Sequence, residues 1–119
     1  MKRNDLIKYL QQEYICDIDY PWEKYSDYVV IRRRYNQKWF AGIFTITGHQ
    51  VGLDTNEPID VVNLKCESDL IPNLIHEKGI YLAYHMNKQH WISVDIEGYE
   101  DAEKFKMLVD MSYRLVGKK

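Results

Sequence analysis

Ile59-Asp60-Val61-Val62-Asn63-Leu64-Lys65-Cys66 is the stretch whose reading decides the fold. In an extended chain successive side chains alternate between faces, so Val62, Leu64 and Cys66 share one side and Val61, Asn63 and Lys65 the other. One side is apolar and the other mixed. Such a strand fits an antiparallel sheet that rests one face on helices and leaves the other open.

Working upstream, Tyr28–Tyr35 reads as a strand with Val29 and Ile31 on one side and Tyr28, Val30, Arg32 and Arg34 on the other. Asn36-Gln37 supplies a tight turn into Lys38–Ile46, which is apolar on both faces, Trp39 with Ile43 and Phe40 with Phe44. That pattern marks a central strand. Between Ile46 and Ile59, the segment Thr47–Pro58 reads as the longest loop. At the start, Asn4 is placed to cap a helix running to about Glu13, with Leu6, Ile7, Leu10 and Tyr14 on one stripe. Cys16–Asp27 then reads as a loop, in which Tyr20-Pro21-Trp22 places two rings to close one end of the core.

Downstream, a second helix is expected from near Ser68 to about Lys78, burying Leu70, Ile71, Leu74 and Ile75 and capped by Gly79. Pro72 sits awkwardly early in it, since proline removes a backbone donor. Ile80–Tyr84 and His90–Ile96 form a hairpin across Met86–Gln89, with Ile92, Val94 and Ile96 on one face and Trp91, Ser93 and Asp95 on the other. Gly98 ends that strand. A last helix, about Asp101 to Val116, carries Phe105, Leu108, Val109, Ser112, Leu115 and Val116 at helical spacing. The order α-β3-α-β2-α gives a two-layer α+β sandwich: a largely antiparallel five-stranded sheet with helices on one face. The 119 residues suit one domain, 1–119.

Composition narrows the function. A net charge of −2 argues against indiscriminate nucleic-acid binding, so any anion site must be a local patch. No apolar run reaches the ~18–20 residues of a membrane span, and no membrane partner is expected. The charged start Met1-Lys2-Arg3-Asn4-Asp5 lacks a signal peptide and the two cysteines, Cys16 and Cys66, form no CxxC pair, which together place the chain in the cytoplasm with reduced thiols.

The chemistry-bearing stretch is Tyr84-His85-Met86-Asn87-Lys88-Gln89-His90-Trp91. Between Gly79 and Val94 there is no carboxylate, although acids outnumber bases 18 to 16 overall. Polar donors interleaved with rings are costly to hold together unless they bind something or one another. The candidate binding residues are therefore Asn63, Lys65, Tyr84, His85, Asn87, Lys88, His90 and Trp91, with Arg32 and Arg34 if the first strand faces the same way. Lysine and arginine would contact phosphates, and Trp91 and Tyr84 would stack on unpaired bases.

Three other readings compete. The first takes His85, His90 and Cys66 as metal ligands, but their spacing matches no established site. A nucleophile pair of Cys66 with one of these histidines is disfavoured because Cys66 should face the core, and the chain shows no serine elbow, HExxH or glycine-rich phosphate loop. A non-enzymatic binding domain without cofactor is the expectation, with DNA as the leading ligand and a protein-interaction or small-ligand-binding module as the alternative. In the third reading the cluster is structural, with Asn63 bridging backbone groups of the hairpin and Lys88 capping it; the abundance of tyrosine then suits a protein partner.

Val62-Asn63-Leu64-Lys65-Cys66, the run Tyr84-His85-Met86-Asn87-Lys88-x-His90-Trp91 and Ser112-Tyr113-x-Leu115-Val116 resemble the signature of the MmcQ/YjbR family. Tyr20-Pro21-Trp22 is similar to that family's aromatic-Pro-aromatic corner, and the resemblance covers nearly the whole chain. It implies a compact CyaY-like domain and DNA binding through a proposed double-wing arrangement.

Overall fold

A computed structural model describes residues 1–117. The elements are α1 (Arg3–Glu13), β1 (Cys16–Asp19), β2 (Val29–Arg33), β3 (Trp39–Thr47), a 3-10 turn (Gly48–Val51), β4 (Pro58–Lys65), α2 (Ile71–Leu74), β5 (Ile80–Leu82), β6 (Trp91–Asp95) and α3 (Ala102–Val116). The strands form one antiparallel sheet in the order β1-β2-β3-β4-β6-β5. The α+β architecture is as read from the sequence, with six strands in place of five. No helix among the described residues is long and apolar enough to cross a membrane.

The extra strand is β1, in the segment expected to be loop. Its alternation, Cys16-Asp17-Ile18-Asp19, is short and half polar, which suits a sheet edge. It pairs with β2, and its two aspartates meet Arg32 of that strand and Arg34 just beyond it.

α1 and α3 cover one face. Leu6 and Leu10 of α1 and Phe105, Leu108, Val109 and Val116 of α3 pack with Phe40, Ile43, Val62, Leu64, Ile92 and Val94 in the main core. α1 begins where the Asp5 carboxylate accepts the Lys2 backbone N–H at 3.0 Å, so Asp5 and not Asn4 closes its start. Asp101 caps α3, accepting from the Lys104 backbone N–H at 3.0 Å.

Two local departures have clear causes. α2 is a single turn, and the expected helix to Lys78 continues only as i→i+3 turns, His76 to Asn73, Glu77 to Leu74 and Ile80 to Glu77. Pro72 lies in its first turn, where proline is tolerated, and Gly79 at a φ of 94° turns the chain out of the segment. Leu70, expected buried, is 38% exposed.

The second departure is a bulge. Ile31 pairs with Ala41 but Arg32 pairs with Trp39, so Phe40 is an extra residue in β3. The bulge turns both Phe40 and Ala41 toward the helices and leaves Trp39 on the same side as Phe44. Strict alternation had paired Phe40 with Phe44. It also leaves backbone groups without ladder partners, and the buried Ser112 of α3 supplies them. Its hydroxyl donates to the Phe40 carbonyl at 2.6 Å and accepts from the Lys65 N–H at 2.8 Å.

The sheet's second face is not open. Phe44, Ile46, Val61 and Tyr84 form a separate buried cluster there, roofed by Trp22 and Tyr28 of the β1–β2 connection. Arg3 ties that connection down, donating to the Asp27 carbonyl and to Thr45 and Asp60 at 2.7 and 3.2 Å.

Candidate functional site

Within the second-face cluster lies a cavity of about 300 Å³. Its floor is Phe44 of β3, whose ring lies over the backbone of Gly42; a Cβ there would stand 2.9 Å from that ring. Trp39, placed by the Phe40 bulge, makes one wall. Trp22 makes the opposite corner, at 5.9 Å and 85° to Trp39, 5.8 Å and 82° to Tyr28, and 6.0 Å and 63° to Phe44. Tyr28 meets Phe44 edge-on at 4.9 Å and 87°, and Tyr25 stacks on Tyr28 at 4.9 Å. Tyr84 closes the far side, 5.9 Å from Phe44, with His85 and Met86 at the rim. Among the described residues, no carboxylate, lysine or arginine lines the cavity.

Tyr84 is set by a buried polar triangle. The Asn63 side chain donates to the Tyr84 carbonyl at 2.7 Å, the Ser93 hydroxyl donates to Asn63, and the Tyr84 N–H donates to Ser93 at 2.9 Å. Asn63 and Ser93 are 1% and 0% exposed, so each group satisfies the others and none is offered to a ligand. The following residue, His85, takes a φ of 55°, a left-handed conformation uncommon for a side chain with a Cβ. Its ring rests against Tyr84 at 4.0 Å. Burial pushes the Tyr84 hydroxyl up to about 12, with Tyr28 adding to the rise, so it remains a neutral phenol across ordinary pH.

The residues expected to form one basic, aromatic surface are therefore dispersed. Tyr84 and His85 line the cavity, but Asn63 is buried beneath it. Lys88 donates to the Ala83 carbonyl at 2.9 Å and lines a separate depression beside α2. Asn87 folds its own turn, accepting from the Gln89 N–H at 2.8 Å through its side chain and from His90 and Trp91 through its carbonyl. His90 Nδ1 lies 3.2 Å from the Ser68 hydroxyl. Trp91 and Lys65 are cross-strand partners at the end of the β4–β6 ladder, outside the cavity lining. Arg32 pairs with Asp19 at 3.3 Å and Arg34 with Asp17 at 3.0 Å, so the arginine run is neutralised by the edge strand. Cys66 faces the main core, and burial followed by Glu67 and Asp69 raises its thiol to about 11, the opposite of a reactive thiolate.

Sequence reasoning missed Trp22, Tyr25, Tyr28, Trp39, Phe44 and Met86 as lining residues. The signal was present as four rings in nine residues, Tyr20, Trp22, Tyr25 and Tyr28, within one loop. Of that corner, Trp22 packs into the cluster while Tyr20 stays 58% exposed.

A larger groove, about 680 Å³, runs between α1, α2 and α3. Several of its charges are matched internally, Glu77 with Lys104 and Arg114 with Asp110, and no single chemistry converges there. The aromatic cavity is the more specific site.

The YjbR family model matches residues 15–115. The chain is 35% identical to the uncharacterised protein YyaQ of Bacillus subtilis (strain 168) over 115 residues, 97% of this chain and 98% of that one. A crystal structure of a Pseudomonas syringae protein matches with a TM-score of 0.92 and 39% identity over 97% of this chain and 98% of that chain. The Deinococcus radiodurans protein DR2400, with a DUF419 domain, shares the fold at a TM-score of 0.72 and 23% identity, over 98% of this chain and 78% of that chain.

Proposed function

The chain belongs to the YjbR family, and we propose that it is a non-enzymatic binding domain whose ligand occupies the aromatic cavity on the second face of the sheet. The observation that carries this reading is the cavity's lining: six aromatic rings from β3, the β1–β2 connection and the β5–β6 connection converge and leave about 300 Å³ unfilled between them. Two features support it. Asn63 and Ser93, buried and mutually bonded, serve to hold Tyr84 in place. His85 is held in a disfavoured conformation at the rim, and such strain concentrates at working surfaces.

The test is a panel of small ring-bearing and aliphatic compounds titrated against the protein, followed by tryptophan fluorescence and by amide shifts. Two of the three tryptophans, Trp22 and Trp39, line the cavity and make the signal local. Compounds should bind there, and Met86→Trp, which fills the rim, should abolish the response. Binding that persists in Met86→Trp, or no binding at millimolar concentration, overturns the reading.

Single-stranded DNA is the second reading. It is favoured by Lys24 and Lys38, which make no ion pair with a described residue and flank aromatic lining residues in sequence. It expects affinity that falls steeply with salt, and each Lys→Ala change should flatten the log–log slope by about one unit. Titration of single- and double-stranded DNA at two salt concentrations tests it. The absence of binding at low salt removes it.

A further inference from the structure

We infer that the group received by the cavity is a methylated ammonium, the cation of choline or of a trimethylated lysine; this rests on the cavity being the binding site. Wall geometry excludes one alternative. A flat ring is held best in a slot between parallel walls, but Trp22 meets Trp39, Tyr28 and Phe44, and Tyr28 meets Phe44, at 63° to 87°. Only Tyr25 stacks nearly parallel, on Tyr28 at 13°, and the four crossed rings make a box. A box suits a compact, roughly spherical group. The lining argues against a second alternative: an anion is held best by a lysine or an arginine, and among the described residues neither lines the cavity.

The remaining choice lies between a neutral alkyl group and a compact cation. In the main core this chain buries mostly Leu, Ile and Val, with Phe40, Phe105 and Tyr99 among them. Here it uses Trp, Tyr and Phe, whose faces carry negative potential and attract ammonium groups. Two of these rings already lie close to cations: Arg32 is 5.7 Å from the Trp39 centroid and Lys24 5.7 Å from that of Tyr25. Neither cation lines the cavity. The Met86 thioether at the rim adds a soft, polarisable contact.

The decisive experiment compares choline with its neutral isostere 3,3-dimethylbutan-1-ol, read by fluorescence of Trp22 and Trp39 and by amide shifts in the folded full chain. Choline should bind at least about tenfold more tightly than the isostere, because the shapes match and only the charge differs. Trp22→Leu, which keeps an apolar wall and removes the ring, should weaken choline about tenfold and leave the isostere within about twofold. Should Trp22→Leu fail to fold, Trp39→Leu carries the same expectation. A trimethyllysine peptide and its unmethylated form separate the two sources. Tighter binding of the methylated peptide than of choline assigns a modified protein, and the reverse assigns a free small molecule. Equal binding of choline and the isostere overturns the cation while leaving the cavity as the site. Failure of choline, the peptide and the isostere overturns the cation too, and the compound panel then decides whether the site itself stands.

Discussion

The two faces of the sheet are built from different side chains and do different work. On the helix-covered face, aliphatic residues of β3, β4 and β6 interlock with α1 and α3, and most are fully buried. On the other, rings carried partly by an irregular connection meet near right angles and leave space between them. The first face, with Phe40 against Tyr14 and Tyr113 among its aliphatic rows, is packed closely, while about 300 Å³ stays open between the rings of the second. Stability should therefore reside on the first face and recognition on the second. The strongest way to break this contrast is Phe40→Ala. Phe40 is fully buried among Tyr14, Tyr113 and the main core, so the change should cost about 3–5 kcal/mol in denaturant unfolding. A cost no greater than that of losing a cavity ring would erase the distinction.

Asn63 is where the two faces meet, and its removal sharpens the comparison. Asn63→Ala leaves the Tyr84 carbonyl without its buried donor and the Ser93 hydroxyl without its acceptor. The expected loss is about 1–3 kcal/mol, with faster hydrogen exchange at the Tyr84 amide. A ligand read by Trp22 and Trp39 should bind more weakly, because Tyr84 loses its anchor. Full retention of stability would mean that water replaces the side chain and that the triangle does not set the cavity.

A smaller effect separates the faces by pH. The Tyr84 phenol is raised from an ordinary 10.0 to about 12, first by burial and then by Tyr28. A raised folded value means that the protonated form is favoured in the folded chain. Its contribution is fully present below the unfolded value near 10.0 and is lost as pH rises toward about 12. Unfolding measured from pH 9 to 12 should therefore show a decline, and Tyr84→Phe should remove part of it. Burial raises Tyr14 and Tyr99 as well, so some decline should survive the substitution. An unchanged profile in Tyr84→Phe would show that Tyr84 is solvated at alkaline pH.

Much of the fold was legible because it follows periodicity. The alternation in β4 and β6 assigned Val62, Leu64, Ile92 and Val94 to one face, and they pack together with Phe105 and Leu108. The 3.6-residue stripe of α3 was equally plain. What escaped was whatever breaks a period. The extra residue at Phe40 reverses the alternation near the start of β3 and moves Trp39 beside Phe44, which no single-strand pattern announces. β1 escaped because an edge strand of four residues with two aspartates carries little apolar signal. The site was legible in its chemistry more than in its place. Asn63 and Lys88 do bond to the hairpin backbone, as the structural reading of that run allowed. The cavity gathers rings from β3, the β1–β2 connection and the β5–β6 connection, and such a meeting belongs to tertiary structure.

The smallest expected effect on stability is also the most telling about the second face. Tyr25 is 46% exposed and sits in the β1–β2 connection, stacked on Tyr28 over the cavity. An exposed ring held by one stacking partner contributes little to folding, so Tyr25→Ala should shift stability by less than about 1 kcal/mol. Its loss still opens one side of the box to water. Choline should then weaken by about fivefold or more, while the unfolding midpoint moves by no more than a few degrees. Two results would count against the division of labour. A loss of 2 kcal/mol or more would mean that the ring belongs to the stabilising core. Unchanged ligand affinity in a normally folded Tyr25→Ala protein would mean that this wall of the cavity faces nothing that binds.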